Sequence, residues 1–596
     1  MSLAGKLWQI KDKLADEQLE QLGDVPRLVV QLLHNRGITQ TEQMRRFLSG
    51  QPYTDSDPFQ LKGMDAAVTR LRAALQEGEP IVVYGDYDAD GVTATALLVQ
   101  TLSVLGGQVQ PYIPDRIEEG YGLNMTAVSR LAEQGTRLLV TVDCGIRSVQ
   151  EVSYAQDLGM QVIVTDHHVL GYELPPALAI INPKQPDCPY PFKQLAGVGL
   201  AFKLAQALLR SVSHTGALSE DDLVDLVAVG TVADVAPLVD ENRWLVRCGL
   251  DRLNRAPRLG LRALCEVAGI PVGRITGDSI GYALGPRLNA AGRLSSSLAA
   301  YELLVTSDPE RAFELARQLN AQNQERQELT RVAVEEARAF IEADRASSLL
   351  YLIAEPYFNP GVVGLVAARL VEEFYRPILV AWRGETYTRG SGRSIPGFHL
   401  THALDECVDL LEHHGGHSAA AGFTVRTERL RQLYTRLLQI AARELAEKPL
   451  TPVLEIDAEL KLDKIDRRRV EDLLTARAAG RPIAEQELQH PGLRTMDGLQ
   501  QLQPFGAGNP VPVFVTHQLV LKNVYLMGGD RRHLKLILFD GKQEWEAVAF
   551  QRAEWRDRLS ERVDVAYSLE VNDYNGRQRL QLGVQDIRPS EECLNA

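Results

Sequence analysis

From Pro80 onward, short apolar runs alternate with stretches of helical length. The runs are IVVY (81–84), VQPYI (109–113), LLVTV (138–142) and VIVT (162–165), and between them lie TATALLVQTLSVL, MTAVSRLAEQG and SVQEVSYAQDLG. This pattern predicts βαβ units and a parallel sheet covered on both faces. Such sheets bind ligands beyond the carboxyl ends of their strands, so the residues directly after each run are the place to look for chemistry.

The same patterning divides the rest of the chain. Residues 1–65 are polar with helical spacing and read as an N-terminal helical segment. The α/β domain spans 66–305, its part from 195 mostly helical. Asp308-Pro309 is a good helix start, and neither glycine nor a further proline follows before Ala343, so 306–345 reads as one long connecting helix. Strand–helix alternation resumes in 346–448 (LLYLIAE, GVVGLVAARLVEEF, PILVAW), a smaller α/β domain. Residues 449–596 turn β-rich (LVLKNVYL, LKLILF, WEAVAF, VDVAYSLEV), and Asn575-Gly576 is a hairpin signal. Several short strands in a segment of this size suggest an OB-fold-like barrel. The expectation is an α/β multidomain protein.

Composition narrows this modestly. A chain of 596 residues is too long for one core. No apolar run approaches the roughly 20 residues of a membrane helix. The N-terminus lacks an apolar signal region, and six scattered cysteines form no Cys-x-x-Cys. A reducing, cytoplasmic compartment is expected. The net charge of −14 does not announce a nucleic-acid partner, so any positive field must be local.

Candidate chemistry sits where the sheet argument places it. IVVY runs into Gly85-Asp86-Tyr87-Asp88-Ala89-Asp90-Gly91, three carboxylates in the turn before a helix expected near Thr93. Clustered carboxylates repel one another unless cations neutralise them, and oxygen ligands favour Mg²⁺ or Mn²⁺. Alone, such a loop is as readily a solvated helix cap. The third run ends in Asp143, by itself equally a turn-former, and the fourth in Asp166-His167-His168, where Asp166 can orient an imidazole. Asp234 is an isolated acid in the apolar stretch LVAVGTVADVAPL and needs a partner. The coincidence of these features on one sheet edge favours a cation site over separate bland explanations.

These residues resemble the DHH phosphoesterase superfamily, named for a motif that matches Asp166-His167-His168. Within it the similarity is to the RecJ family of bacterial single-strand-specific 5′→3′ exonucleases. GDYDADGVTAT, RIEEGYGLN, VTVDCGI, VTDHH, NPKQPDCPYP, LAGVGLAFK, AVGTVADVAPL and GPRLNAAGRL follow in the family's order. GSGRSIPGFHL and GGHSAAAGF resemble the associated DHHA1 domain, and QPFGAGNPVPVF the lead into an OB domain. The resemblance covers about residues 25 to 590.

It implies a two-ion Mn²⁺ or Mg²⁺ site held by Asp86, Asp88, Asp143, His167 and Asp234, with Asp88 bridging. Asp88, His168 and Asp90 are the candidate catalytic groups, His168 on the scissile phosphate and Asp90 supporting the loop. The implied reaction is hydrolysis of single-stranded DNA from its 5′ end with release of 5′-mononucleotides, in recombination and repair. Measuring one nucleotide from the end requires a terminal-phosphate pocket. Gly390-Ser391-Gly392-Arg393-Ser394 suits this, with exposed backbone N–H groups, serine donors and an arginine. Arg287, Asn289, Arg293, Gly416 and His417 are further candidates. In the barrel, Arg531, Arg532, His533, Lys535, Tyr574 and Arg577 are candidates to follow the strand. Expected partners are single-stranded DNA, a single-strand-binding protein and a RecQ-type helicase, with the chain a monomer and no membrane involved. The competing readings are a DHH phosphodiesterase for very short RNA or cyclic dinucleotides, and a non-catalytic replication scaffold.

Overall fold

The apolar runs form strands Pro80–Tyr84, Gln108–Tyr112, Leu138–Val142 and Gln161–Thr165, joined by a fifth strand, Ala179–Ile181, whose three residues give no periodic signal. All are parallel, in spatial order 108–112, 80–84, 138–142, 161–165, 179–181. Alternate side chains feed two cores. Ile81, Val83, Leu138, Val140 and Ile163 pack under helices Ala89–Val104 and Gly197–Ser211, while Val82, Leu139, Val162 and Val164 pack under Met125–Glu133 and Val149–Asp157. The strand order reverses at Pro80–Tyr84, so the crevice after that strand is the topological switch point, the usual ligand position in open α/β sheets.

The computed structural model describes residues 2–52, 54, 56–116, 119–212, 218–294, 296–344, 348–574 and 576–590. It divides into two compact units, residues 54–450 and residues 1–53 with 451–596. Among the described residues no helix is long and apolar enough to cross a membrane.

In the first unit the long helix runs Pro309–Ala343, capped by the Asp308 carboxylate on the Glu310 N–H at 2.9 Å. Ala312, Leu315, Ala316 and Leu319 belong to the core of the parallel-sheet domain, whereas Ala333, Val334, Ala337 and Ile341 belong to that of the smaller α/β domain. The smaller domain has a five-stranded sheet in the order Leu411–Gly416, Ala420–Arg426, Tyr387–Arg393, Ile378–Arg383, Tyr351–Glu355. Only its last pair is parallel.

The second unit draws on both chain ends, unlike the separate helical segment expected for 1–65. Strand Leu7–Ile10 pairs in parallel with Val453–Ile456, and Val29, Leu33, Met44 and Phe47 share a core with Leu473, Leu493 and Met496. Strands Phe514–Met527, His533–Phe539, Glu544–Ala549, Arg577–Pro589 and Arg562–Tyr574 close into a five-stranded barrel through pairing of the first with the last. Trp545, Leu534, Leu536 and Tyr567 fill it. Asn575 and the side chain of Tyr574 lie outside the described residues.

Candidate metal centre and phosphate groove

The helix expected near Thr93 begins at Ala89, so only Asp86 and Asp88 precede it. Asp88 is its N-cap, one oxygen accepting from the Asp90 and Gly91 N–H groups at 2.9 and 3.1 Å. Asp90 lies inside the first turn. Its two oxygens accept the Gly197 and Val198 N–H groups at 2.7 and 2.8 Å, which ties two helix starts together. Gly91 is required here, because a Cβ would stand 2.6 Å from the Asp86 backbone.

Asp143 follows its strand with φ 60°, and Val235, directly after Asp234, has φ 58°. Left-handed backbone at non-glycine residues costs about 1–3 kcal/mol and gathers where function holds it. Asp234 ends helix Val224–Ala233 rather than lying within it. Asp166 accepts from His168 at both its backbone N–H and Nδ1 (3.0 and 2.7 Å) and from the Ile146 N–H at 2.9 Å. The imidazole it orients is therefore that of His168.

Three ligand sets result, in each of which the offered atoms lie within 4.8 Å of one another: Asp86, Asp88, Asp143; Asp90, His167, Asp234; and Asp143, His167, His168. His167 Nε2 is 3.1 Å from Asp143 Oδ1 and 3.9 Å from Asp234 Oδ2. Yet Asp86 Oδ1, Asp143 Oδ1 and His167 Nε2 are all buried without a hydrogen bond. Burial first, then the charge of His168, pushes His167 down to about 3, so the ring is neutral; its hydrogen bond to the Leu195 backbone takes the N–H of the other ring nitrogen and leaves Nε2 as the lone pair. A lone pair facing a carboxylate oxygen in a buried site is repulsive unless a cation lies between them. The donor set therefore fits divalent metal.

The carboxylates argue the same way. Burial, then Asp88, raises Asp86 well above the ordinary range; burial, then Asp90, Asp88 and Asp86, does so for Asp143. Burial with Asp90 and Asp88 takes Asp234 to about 9, and burial with Asp88 takes Asp90 to about 7 despite its two backbone N–H partners. For His168 burial opposes the charge, but the hydrogen bond to Asp166 and its charge outweigh burial and raise it.

Sequence reasoning assigns no role to Tyr121, Arg116, Lys184 or Gly197, although their motifs are plain. The Tyr121 hydroxyl meets His168 Nδ1 at 3.1 Å and donates to the Asp143 carbonyl at 3.3 Å. Lys184 Nζ donates to the His167 carbonyl. A Cβ on Gly197 would stand 2.6 Å from Asp143 Cβ and Oδ1.

A groove of about 780 Å³ is lined by Arg116, Arg293, Arg389, Ser391 and Arg393 with Gly361 and Gly416. Arg116 stacks over the Tyr87 ring at 5.0 Å, and Tyr87 lies between Asp86 and Asp88. Burial, then Arg116 and Arg326, pulls Arg293 down to about 10, against the opposing charge of Asp88.

Several expectations are corrected. Gly390-Ser391-Gly392-Arg393 is not a loop with free N–H groups. It is part of a central strand paired on both sides, so only the side chains of Ser391 and Arg393 are available. Its glycines serve packing, since a Cβ would meet the Phe423 ring at 2.5 Å or Leu400 at 2.7 Å. The Ser394 hydroxyl is spent on the Phe398 carbonyl at 2.8 Å. Asn289 Oδ1 accepts the Ala89 N–H at 2.7 Å and so braces the aspartate loop. Arg287 donates to Asn320 and the Ala283 carbonyl. His417 lines no part of the groove. Burial, then Arg147, His168 and Lys184, lowers its pKa, which places it near the His168 side. In the barrel, Lys535 pairs with Glu546 at 2.8 Å, Arg532 faces Asp530 at 3.4 Å, and His533 Nδ1 accepts from Gln551 N–H. Arg531 sits in a left-handed turn (φ 55°), and Arg577 joins Arg467, Arg468 and Arg579 along a separate groove.

A parallel sheet bearing buried carboxylates and Asp-His-His at its carboxyl edge, followed by a smaller α/β domain, defines a DHH-type phosphoesterase. Family models agree: "DHH family, N-terminal domain" matches residues 80–231, "DHHA1 domain" 346–443 and "RecJ OB domain" 484–586. The chain is 40% identical to the single-stranded-DNA-specific exonuclease RecJ of Bacillus subtilis, over 99% of this chain and 72% of that one. It also resembles the crystal structure of RecJ from Thermus thermophilus in complex with Mn²⁺ (31% identity, TM-score 0.80, covering 98% of this chain and 80% of that one). The Mg²⁺ complex of the same protein matches at 28% identity and TM-score 0.75, covering 98% and 78%. The chain belongs to the RecJ family of single-stranded-DNA-specific exonucleases.

Proposed function

We propose that this chain is a metal-dependent exonuclease that degrades single-stranded DNA 5′→3′ and releases 5′-mononucleotides, in recombination and repair. One observation carries the chemistry: unpartnered, buried ligand atoms of Asp86, Asp143 and His167 face one another beside an arginine-lined groove. Asp86, Asp88, Asp143, His167 and Asp234 would hold two Mn²⁺ or Mg²⁺ ions. Such ions supply a nucleophilic water at neutral pH and neutralise charge on the phosphoryl and leaving oxygens.

The protein's own groups do the rest. Arg116, Arg293, Ser391 and Arg393 grip the 5′-terminal phosphate, which sets the scissile bond one nucleotide further on. His168, held by Asp166 and kept protonated more readily than a free imidazole, donates a hydrogen bond to the scissile phosphate. The 3′-oxygen of the terminal nucleotide leaves, and the shortened strand keeps a 5′-phosphate. Asp90 supports this arrangement by fixing the two helix starts. The relatives' names point to single-stranded DNA as partner. A single-strand-binding protein, a RecQ-type helicase, a cytoplasmic location and a monomeric state complete the proposal.

The test uses single-stranded DNA labelled at either end, with Mn²⁺. Early release of 5′ label as mononucleotide, abolished by Asp88→Ala, is expected. Inactivity on DNA with turnover of dinucleotides would replace this reading by a short-substrate phosphodiesterase.

A further inference from the structure

The long helix Pro309–Ala343 is apolar on its buried face at both ends but not in the middle. Leu319 closes the first apolar stretch and Leu329 opens the second. Between them the same face carries Asn320, Asn323 and Arg326, spaced three residues apart and therefore side by side on the helix. Asn323 is buried, and the Nε donor of Arg326 is buried without a partner among the described residues. A buried donor left so is destabilising unless an acceptor reaches it.

Two more arginines converge on this break. Arg287, from helix Gly285–Leu294, is oriented by Nε donating to Asn320 at 3.0 Å and Nη1 to the Ala283 carbonyl at 2.9 Å, which leaves Nη2 without a partner among the described residues. Arg369, exposed, comes from helix Val363–Phe374 of the smaller domain. No carboxylate pairs with Arg326 or Arg369 among the described residues. Burial first, then repulsion by Arg369 and Arg287, lowers Arg326. Helix Val363–Phe374 packs against the long helix in one core, so Arg326 has a guanidinium group on either side, that of Arg287 positioned by Asn320, and no carboxylate between them: a site suited to an anion. Arg326 in turn acts on Arg293 of the groove, so the cluster adjoins the path assigned to the strand.

We propose that Arg287, Arg326 and Arg369 form a second anion site, at the polar break of the connecting helix, that takes a phosphate group of the substrate strand. This rests on the exonuclease reading. Planar guanidinium forks match phosphate oxygens in pairs, and one phosphate here would bridge groups from both α/β domains and the helix joining them. The phosphate is an internal diester, because the strand's 5′-terminal group belongs to the groove, and the test separates the two.

Binding of a 3′-fluorescent single strand to the full chain is measured by anisotropy in EDTA, where no turnover occurs, across a salt series. Strands with 5′-phosphate and 5′-hydroxyl are compared for wild type, Arg326→Gln, Arg326→Lys and Arg369→Gln. About tenfold weaker binding is expected in both glutamine variants, with the slope of log K against log salt shallower by about 0.7 for each phosphate no longer neutralised. Arg326→Lys should keep the slope and lose part of the affinity. Losses on both strands support the internal diester; losses only on the 5′-phosphorylated strand overturn the second site and make these arginines part of the terminal-phosphate groove. Should Arg326→Gln fail to fold, the exposed Arg369→Gln, checked by its melting temperature, decides alone. Wild-type affinity and slope in the folded glutamine variants, or no salt-dependent binding by wild type, overturns the site. Failure of wild type to shorten single strands with Mn²⁺ refutes the exonuclease reading instead.

Discussion

Gly197→Ala should disable the enzyme while leaving it folded. The added Cβ would stand 2.6 Å from Asp143 Cβ and Oδ1 and 2.7 Å from Cγ, where ordinary contacts begin near 3.4 Å. Relief therefore needs a displacement of about 0.8 Å, and both partners are constrained. The Gly197 N–H is bonded to Asp90, and Asp143 already holds φ 60°, so the carboxylate is the part that moves. Overpacking of this size costs about 1–3 kcal/mol of stability. A misplacement near 1 Å in a reacting centre costs on the order of 10²-fold in rate. Thermal unfolding should thus show a melting temperature lower by several degrees, roughly 1–3 kcal/mol spread over a large unit. Calorimetric titration with Mn²⁺ should show weakened binding, and turnover of single-stranded DNA should fall by about 10². Wild-type Mn²⁺ affinity and rate in a folded Gly197→Ala protein would refute the claim that Asp143 is a ligand held by this packing.

Five further outcomes follow from the structure. Raised carboxylates keep protons in the folded state that the unfolded chain has lost, so metal-free stability should fall as pH rises from about 4 toward Asp90 near 7 and Asp234 near 9. Mn²⁺ expels those protons, so its shift of the melting temperature should grow from about pH 6 to about pH 9, and a flat or shrinking shift contradicts the ligand assignment. Asp166→Asn should cost about 10–100-fold in activity and move the limb of the pH–rate profile set by His168 to lower pH, because its supporting charge is gone. Arg393→Gln should raise KM on 5′-phosphorylated strands and erase their advantage over 5′-hydroxyl strands; equal KM values for wild type and variant on the phosphorylated strand argue against the groove. Trp545→Ala, emptying the barrel centre, should cost about 3–5 kcal/mol in denaturant unfolding of its unit.

The metal centre is legible in the sequence because a parallel sheet turns chain order into spatial order. Asp86, Asp143 and Asp166-His167-His168 each follow an apolar run, and parallel strands deliver their ends to one edge. What the pattern hides depends on contacts distant in sequence or on residues used against type. Strand Ala179–Ile181 is too short for a period, and the pairing of Leu7–Ile10 with Val453–Ile456 spans most of the chain. Gly390-Ser391-Gly392 suggests a loop because glycine is depleted in strands, yet glycine is demanded there by the Phe423 ring and Leu400. Asn289 carries the residue type of a ligand, but its oxygen is committed to the Ala89 N–H, and Asp90 accepts a backbone N–H at each oxygen while still lying within reach of His167 and Asp234.

Net charge is the least informative quantity for this chain. At −14 it does not announce a polyanionic substrate, yet Asp86 and Asp143 are buried and, in the proposed reading, would hold cations rather than form a repelling surface. With two divalent ions bound there, what the strand meets would be set by Arg116, Arg293, Ser391 and Arg393 in the groove and by the arginines beside Asn320 and Asn323. Screening confines such interactions to about 8 Å at physiological salt, so surface carboxylates beyond that range hardly oppose a bound phosphate. Affinity for DNA should therefore follow substitutions at these few arginines. Removing distant acidic residues should leave it almost unchanged, even where the change in net charge is larger.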